Sequence, residues 1–257
     1  MDFLTIERRE HTALITINNP PANTWTEQSL TELRVLIEQL NAEPEIYALV
    51  LTGQGDKFFS AGADLKLFAG GDKSVAATMA RRFGQAFETL SAFRGVSITA
   101  INGWAMGGGL EVALACDIRI AEAQARMALP EATVGLLPCA GGTQNLTALV
   151  GEGWAKRMIL CGERIDAPTA ERIGLVEQIV PAGTALEQAL ALAAKVAKQS
   201  PVAVAACKTL IQSGRSMPRQ QALVQERECF LDLFDSEDQR EGVQAFLQKR
   251  EAQWSNR

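Results

Sequence analysis

The chain has 257 residues, 47% of them apolar and 21% charged, with a formal net charge of −5. That length suits one large domain, or one domain with an appendage, and the acidic balance argues against a nucleic-acid binder. No run of 18 apolar residues occurs, so no membrane-spanning helix is expected, and the charged start "MDFLTIERRE" lacks the pattern of a signal peptide.

"FLTIERR" and "TALITIN" alternate apolar and polar residues and predict a β-hairpin, with His11 at its turn. "NPPANTWT" reads as a loop, and Thr24 with Glu27 has the spacing of a capping box. The helix that follows carries Leu30, Leu33, Leu36, Ile37 and Leu40 on one face. "IYALVLTG" predicts a buried strand, and "QGDKFFSAGADLKLFAGG" a long loop with short ordered pieces. A helix is expected from about Ser74 to Phe93, then a second buried strand, "VSITAIN", running into Gly107, Gly108 and Gly109. "DIRIAE" and "LVEQIV" predict further strands. Residues 184–199, 201–213, 218–235 and 237–251 have helical spacing, with Pro201 and Pro218 at helix starts. An α/β portion over about residues 1–195 therefore precedes a helical tail over 196–257. The strands near 46–52, 96–101 and 117–121 recur as a ββα-like pattern, a faint sign of a stacked spiral.

The five cysteines never fall in C-x-x-C spacing, and several lie in apolar surroundings. They read as reduced thiols of a cytoplasmic protein, with no disulfide frame or zinc site. His11 is the only histidine, and a hairpin tip places it poorly for a Ser–His or Cys–His hydrolase. A three-histidine metal site is excluded within one chain. Acid–base chemistry would therefore fall to carboxylates.

The triple glycine poses the sharpest question. A dinucleotide fingerprint needs G-x-G-x-x-G, which "GWAMGGG" does not supply. Gly103 and Gly108 have P-loop spacing, but Gly109 and Leu110 stand where a P-loop has its Lys and hydroxyl residue. Two readings remain: a tight turn, or a set of free N–H groups at a helix start that stabilise a developing oxyanion. "FFSAGADLK", a second small-residue turn after a buried strand, would supply the partner donor. Glu111 opens an apolar helix, where it would favour the helix dipole. Glu131 sits in the apolar, proline-bounded "ALPEATVGLLP", where it would start a helix after Pro130. Buried, the pair would have raised pKa values and could serve as general acid and base. Asp117, between helix and strand, reads as a turn residue.

"FFSAGADLK", "INGWAMGGGLEVALACD" and "ALPEATVGLLPCAGGTQNL", in that order, resemble the crotonase (enoyl-CoA hydratase/isomerase) superfamily, most closely its enoyl-CoA hydratases. "GWAKRMILCGERIDAPTAERIGLVEQIVP" and "EGVQAFLQKR" extend the resemblance over nearly the whole chain. It implies an α/β fold, a spiral of stacked ββα units with a helical C-terminal trimerisation region, as a homotrimer or homohexamer. It implies a hydro-lyase acting on an acyl-CoA thioester, which is substrate and not cofactor, with no metal or redox group. Ala63 and Gly108 correspond to the two backbone oxyanion donors, and Glu111 and Glu131 to the two catalytic glutamates. Glu111 would activate water and Glu131 deliver a proton to the α-carbon. Ser60 to Lys66, including Ala61, Asp64, Leu65 and Lys66, corresponds to the CoA contacts; Lys57 and Lys66 are either phosphate contacts or solvated surface. Hydratases often read G-A-G-G-T-Q where this chain has C-A-G-G-T-Q, so Cys139 would border the acyl pocket. The resemblance also covers Δ3-Δ2-enoyl-CoA isomerases, and non-catalytic RNA- or protein-binding members against which the acidic charge and the intact glutamate pair count.

Overall fold

The computed structural model describes residues 2–257. Strands β1 (Leu4–Arg9) and β2 (Thr12–Ile17) form the expected hairpin, in register from Leu4 opposite Ile17 to Arg9 opposite Thr12. At its tip the His11 ring stacks on Tyr47 at 4.4 Å, and Nδ1 lies 2.8 Å from the Glu45 carbonyl. The lone histidine is a packing residue there.

Helix α1 (Glu27–Ala42) buries all five of the predicted apolar positions. Its start differs from expectation. Thr26 is the N-cap: Ser29 N donates to Thr26 Oγ1 at 3.1 Å and Thr26 N to Ser29 Oγ at 2.8 Å. The Thr24–Glu27 box does not form, because Trp25 is drawn into the core beside Ala63 and fixes the chain in an extended state up to Thr26. Thr24 instead accepts hydrogen bonds from Asn19 Nδ2.

The spiral is built from three ββα turns. The first is β3 (Ala48–Gly53), β4 (Phe58–Ser60) and α2 (Lys73–Ser91). The second is β5 (Val96–Ile101), β6 (Trp104–Met106) and α3 (Gly108–Ala115). The third is β7 (Ile118–Glu122), β8 (Arg126–Ala128) and α4 (Gly142–Leu160). Each turn gives its first strand to one sheet and its second to another. With β10 (Gln178–Val180) and β9 (Ile165–Asp166), the sheets run β1-β2-β3-β5-β7-β10 and β4-β6-β8-β9, parallel except for β1 with β2 and β8 with β9. Asn102, at the corner between β5 and β6, locks successive turns: its Nδ2 donates to Gly53 O and Gly55 O, and its Oδ1 accepts from Gly53 N.

Strand β3 is buried on both faces, and its alternating side chains feed two cores. Leu49 and Leu51 join the large interior packed by α1 and α2. Ala48 and Val50 meet Ala185, Ala189 and Ala193 of α6 (Ala185–Val196), which covers the other face. The small alanines let the helix approach the sheet closely.

Beyond α6 the chain is helical, as expected: α7 (Pro201–Ser213), α8 (Arg219–Asp232) and α9 (Glu237–Gln248). Both α8 and α9 end about three residues before their predicted ends; a short 3-10 turn, Leu233–Asp235, follows α8. Lys208 on α7 ties this tail to the spiral, donating to Phe93 O, Gly95 O and Asp117 Oδ2 at 2.7, 3.0 and 2.8 Å. Asp117 Oδ2 also accepts from Ser97 N and Oγ, the structural role its position predicted. α5 (Ala167–Arg172) packs between β9 and β10.

The cysteines are all free, but only Cys116 is fully buried; Cys139, Cys161 and Cys207 are exposed, contrary to the apolar setting expected for several of them. Among the described residues no single helix is long and apolar enough to cross a membrane.

Candidate active site

The segments singled out in the sequence converge on one cavity of about 490 Å³. Three glycines make the convergence sterically feasible, each for a separate reason. Gly107 has φ +53, and a Cβ there would lie 2.9 Å from Glu131 Oε1. A Cβ on Gly108 would meet the Phe83 ring at 2.9 Å, and one on Gly109 the Ser60 carbonyl oxygen at 2.1 Å. The start of α3 is thus pressed between β4, α2 and the Glu131 segment, with room for no side chain.

This packing brings the two proposed oxyanion donors together. A Cβ on Gly62 would sit only 3.0 Å from the Gly108 nitrogen, so the Ala61–Ala63 turn lies against the first turn of α3. The Trp25 and Ala63 segments bridge through Trp25 N to Gly62 O and Asp64 N to Trp25 O. That pattern leaves the Ala63 N–H out, and neither it nor the Gly108 N–H donates to another group among the described residues. Both residues line the cavity. Two unpaired N–H groups, one at a helix N-terminus, form a site for an oxygen that gains negative charge.

Glu111, 3% exposed, lies one turn into α3. Its Oε1 accepts from Ala140 N at 2.7 Å and Gly142 N at 2.9 Å, at the N-terminus of α4. Burial pushes its pKa up, and these two N–H donors counter the rise. Glu131 begins a short 3-10 turn, Glu131–Val134, behind Pro130. Its Oε2 is buried with no hydrogen-bond partner among the described residues. Burial first, and then the charge of Glu111, pushes its pKa up to about 7. Both carboxyl groups line one cavity with proton affinities raised by burial, and they differ in their partners: two N–H donors hold Glu111, while Glu131 Oε2 has none, a setting suited to a general base beside a general acid. Cys139 also lines the cavity; though exposed by surface area, its thiol is partly screened from water by the cavity wall, and that desolvation, then both carboxylates, pushes it up to about 11. It is a neutral thiol near pH 7, and so a shape-giving wall more than a nucleophile.

Of the segment read as a CoA contact, Ala61, Ala63, Asp64, Leu65 and Lys66 line the cavity. Asp64 caps the 3-10 turn Leu65–Phe68 by accepting from Lys66 N at 3.1 Å. Ser60 does not line it: its Oγ donates to Asn23 O and accepts from Gly62 N, which fixes the turn from behind. Lys57 is also absent from the lining; its ammonium lies over the Phe58 ring at 5.4 Å. The apolar walls, Phe68, Phe83, Met106, Val134, Leu136 and Leu137, were not foreseen. Phe83 falls on the same helical face as Met79, Phe87 and Leu90, and nothing in the sequence separates it from ordinary core.

A larger cavity of about 750 Å³ lies between the end of α3 and α7. Its carboxylates, Asp117 and Glu177, are already paired with Lys208 and Arg119. The unpaired carboxyl oxygen and the free N–H groups belong to the smaller one.

Two carboxyl groups and two unpaired backbone N–H groups lining one cavity, set in a ββα spiral, form an arrangement able to hold an acyl oxygen and move protons beside it. The chain belongs to the enoyl-CoA hydratase/isomerase family, whose model matches residues 7–257. It is 40% identical to the 2,3-dehydroadipyl-CoA hydratase of Escherichia coli K12 over the whole of both chains. It is 38% identical to the short-chain-enoyl-CoA hydratase of Clostridium acetobutylicum, over 97% of this chain and 96% of that one. Among solved structures, Pseudomonas aeruginosa DspI matches with a TM-score of 0.97 at 68% identity, covering 99% of this chain and 97% of that one. An enoyl-CoA hydratase from Bacillus anthracis matches with a TM-score of 0.96 at 36% identity, over 99% and 100% of the two chains. Enzymes of this family act on acyl-CoA substrates.

Proposed function

We propose that the protein is an enoyl-CoA hydratase, adding water reversibly and syn across the double bond of a trans-2-enoyl-CoA to give a 3-hydroxyacyl-CoA. The observation that carries this reading is the pair Glu111, buried, and Glu131, half-buried, around one cavity, one carboxylate held by two N–H donors and the other raised to about 7 with an unpartnered oxygen.

The steps follow from that geometry. The N–H groups of Ala63 and Gly108 hold the thioester oxygen and stabilise the enolate-like charge that develops on it, each worth about 3 kcal/mol. Glu111, ionised, takes a proton from water as the water oxygen bonds to C3. The C2–C3 π electrons move into the enolate. Glu131, protonated, gives its proton to C2 and the carbonyl reforms. The proton now on Glu111 passes to Glu131 to restore the starting state. Ala61, Asp64, Leu65 and Lys66 would hold the CoA portion, and Cys139 would border the acyl group. The thioester is the substrate, and the cycle uses no resident cofactor.

The alternative within the family is a Δ3-Δ2-enoyl-CoA isomerase, favoured by one observation: the unpartnered Oε2 of Glu131 could by itself carry a proton between C4 and C2. Crotonyl-CoA separates the two. Hydration removes its conjugated absorbance, whereas an isomerase leaves it and raises absorbance from a trans-3-enoyl-CoA. Glu111→Gln and Glu131→Gln should each lower hydration by about 10²–10⁴-fold. Near-normal turnover in either variant removes that residue from the mechanism, and no bleaching at any chain length defeats the hydratase reading.

The exposed apolar side chains Ile211, Phe230, Leu231, Phe246 and Leu247 on α7, α8 and α9 support assembly through the 196–257 region into a homotrimer or homohexamer. Sedimentation equilibrium would read the mass directly; a monomer at micromolar concentration opposes it.

A further inference from the structure

At the far end of α4 from Glu111 lies a separate polar cleft of about 450 Å³. It shares no lining residue with the catalytic cavity. Between Gly142, at Glu111, and Arg157, at the cleft, the helix breaks at Gly151 (φ 75, ψ 165), so the two ends of α4 belong to separate helical pieces.

Four arginines from four parts of the fold converge there: Arg126 on β8, Arg157 on α4, Arg164 in the link before β9, and Arg172 on α5. Two carboxylates share the cleft, and each is engaged. Glu163 receives both arms of Arg157, at 2.7 Å each, and Arg157 also lies over the Trp154 ring at 4.2 Å. Asp166 caps α5 by accepting from Thr169 N at 3.0 Å. The other three guanidinium groups form no ion pair among the described residues. Arg126 Nη1 reaches the Gln124 and Ala125 carbonyls, Arg172 Nη2 reaches Thr169 Oγ1 at 3.3 Å, and Arg164 lies 5.9 Å over the Trp104 ring. The lining thus has four positive and two negative charges, a local excess of two, in a chain whose net charge is −5.

Planar forks gathered from three elements and the link before β9, with N–H groups left over, match the oxygens of phosphate better than any neutral ligand. Like charges gathered in an acidic protein repel one another unless an anion joins them. We infer that this cleft binds an anion with two phosphate groups joined through a shared oxygen, of which pyrophosphate is the simplest form and a nucleoside diphosphate an elaborated one.

Titration calorimetry of the intact chain with pyrophosphate, at fixed ionic strength, tests the inference. The expected result is saturable binding that weakens at least tenfold in the double variant Arg164→Ala/Arg172→Ala. Arg126 is left in place because its guanidinium also holds backbone carbonyls. The variant should keep its thermal midpoint. Prior saturation with S-butyryl-pantetheine, a thioester that carries no nucleotide and no phosphate, should leave pyrophosphate binding unchanged. A parallel titration with ADP distinguishes the sources: equal affinity assigns recognition to the phosphates, and tighter affinity adds the nucleoside. The inference is overturned by no saturable binding at millimolar pyrophosphate, by equal affinity in the variant, by equal affinity for sulfate, or by competition from S-butyryl-pantetheine. None of these readings depends on turnover, so they stand or fall apart from the hydratase assignment.

Discussion

Glu131 sets the pH dependence of the proposed reaction. As the acid in hydration it must carry a proton, and its pKa near 7 means that the active form declines as pH rises through neutrality. Glu111 must be ionised, so activity also declines at low pH, through a midpoint above the ordinary glutamate value. The expected profile of kcat/KM for hydration is a bell whose alkaline limb lies near pH 7. A rate that keeps climbing to pH 9 would contradict the assignment of Glu131 as the acid. Both carboxylates were legible in the sequence as charges in apolar settings. Their difference was not, because it arises from the backbone N–H groups of Ala140 and Gly142, which are 29 and 31 residues from Glu111 and reach it only through the fold.

At the scale of elements, the critical joint is the start of α3. A methyl group on Gly109 would lie 2.1 Å from the Ser60 carbonyl oxygen, a backbone atom that can yield only by moving β4. Gly109→Ala should therefore cost roughly 3 kcal/mol or more, at or above the upper end of ordinary overpacking. The urea midpoint would record it, and a shift within error would show that the joint is looser than described. The glycine run announced a close approach without saying to what. The long strands and the α1 face were readable from period, since each spans enough residues to show one. The strands β4, β6 and β8 have three residues each, too few to show alternation, so the second sheet was invisible and only the spacing of the longer strands hinted at a spiral. The capping error at α1 has a similar source: local spacing favoured Thr24, and the burial of Trp25 decided for Thr26.

At the scale of the whole molecule, one side chain fastens the helical tail to the spiral. Lys208 Nζ is held by two carbonyls and Asp117, and it is only 10% exposed. Lys208→Met would leave Asp117 partly buried without its counter-ion, at a cost on the order of 3 kcal/mol. Adding Asp117→Asn should return part of that loss, measurable as a double-mutant cycle. Full additivity would mean that the pair does not couple. The tail was legible as helix from its spacing, and Pro201 marked its start. Its attachment was not, because Lys208 and Asp117 are 91 residues apart and neither carries a motif.

The unpartnered oxygen of Glu131 carries a further consequence, for heat tolerance. The folded state holds this carboxyl at about 7, against 4.5 for an ordinary glutamate. Its contribution to stability is therefore complete below about pH 4.5 and is lost as pH rises through about 7. Above neutrality the fold must keep an anion in a half-buried position with one oxygen out of reach of any hydrogen-bond donor of the chain. Glu131→Gln should thus melt later than the parent protein at pH 8, with the gap closing toward pH 5. Differential scanning calorimetry at the two pH values would show it, and an equal gap at both would refute it. The site is a place where function and durability pull in opposite directions: a lineage selected only to survive heat would discard this glutamate first.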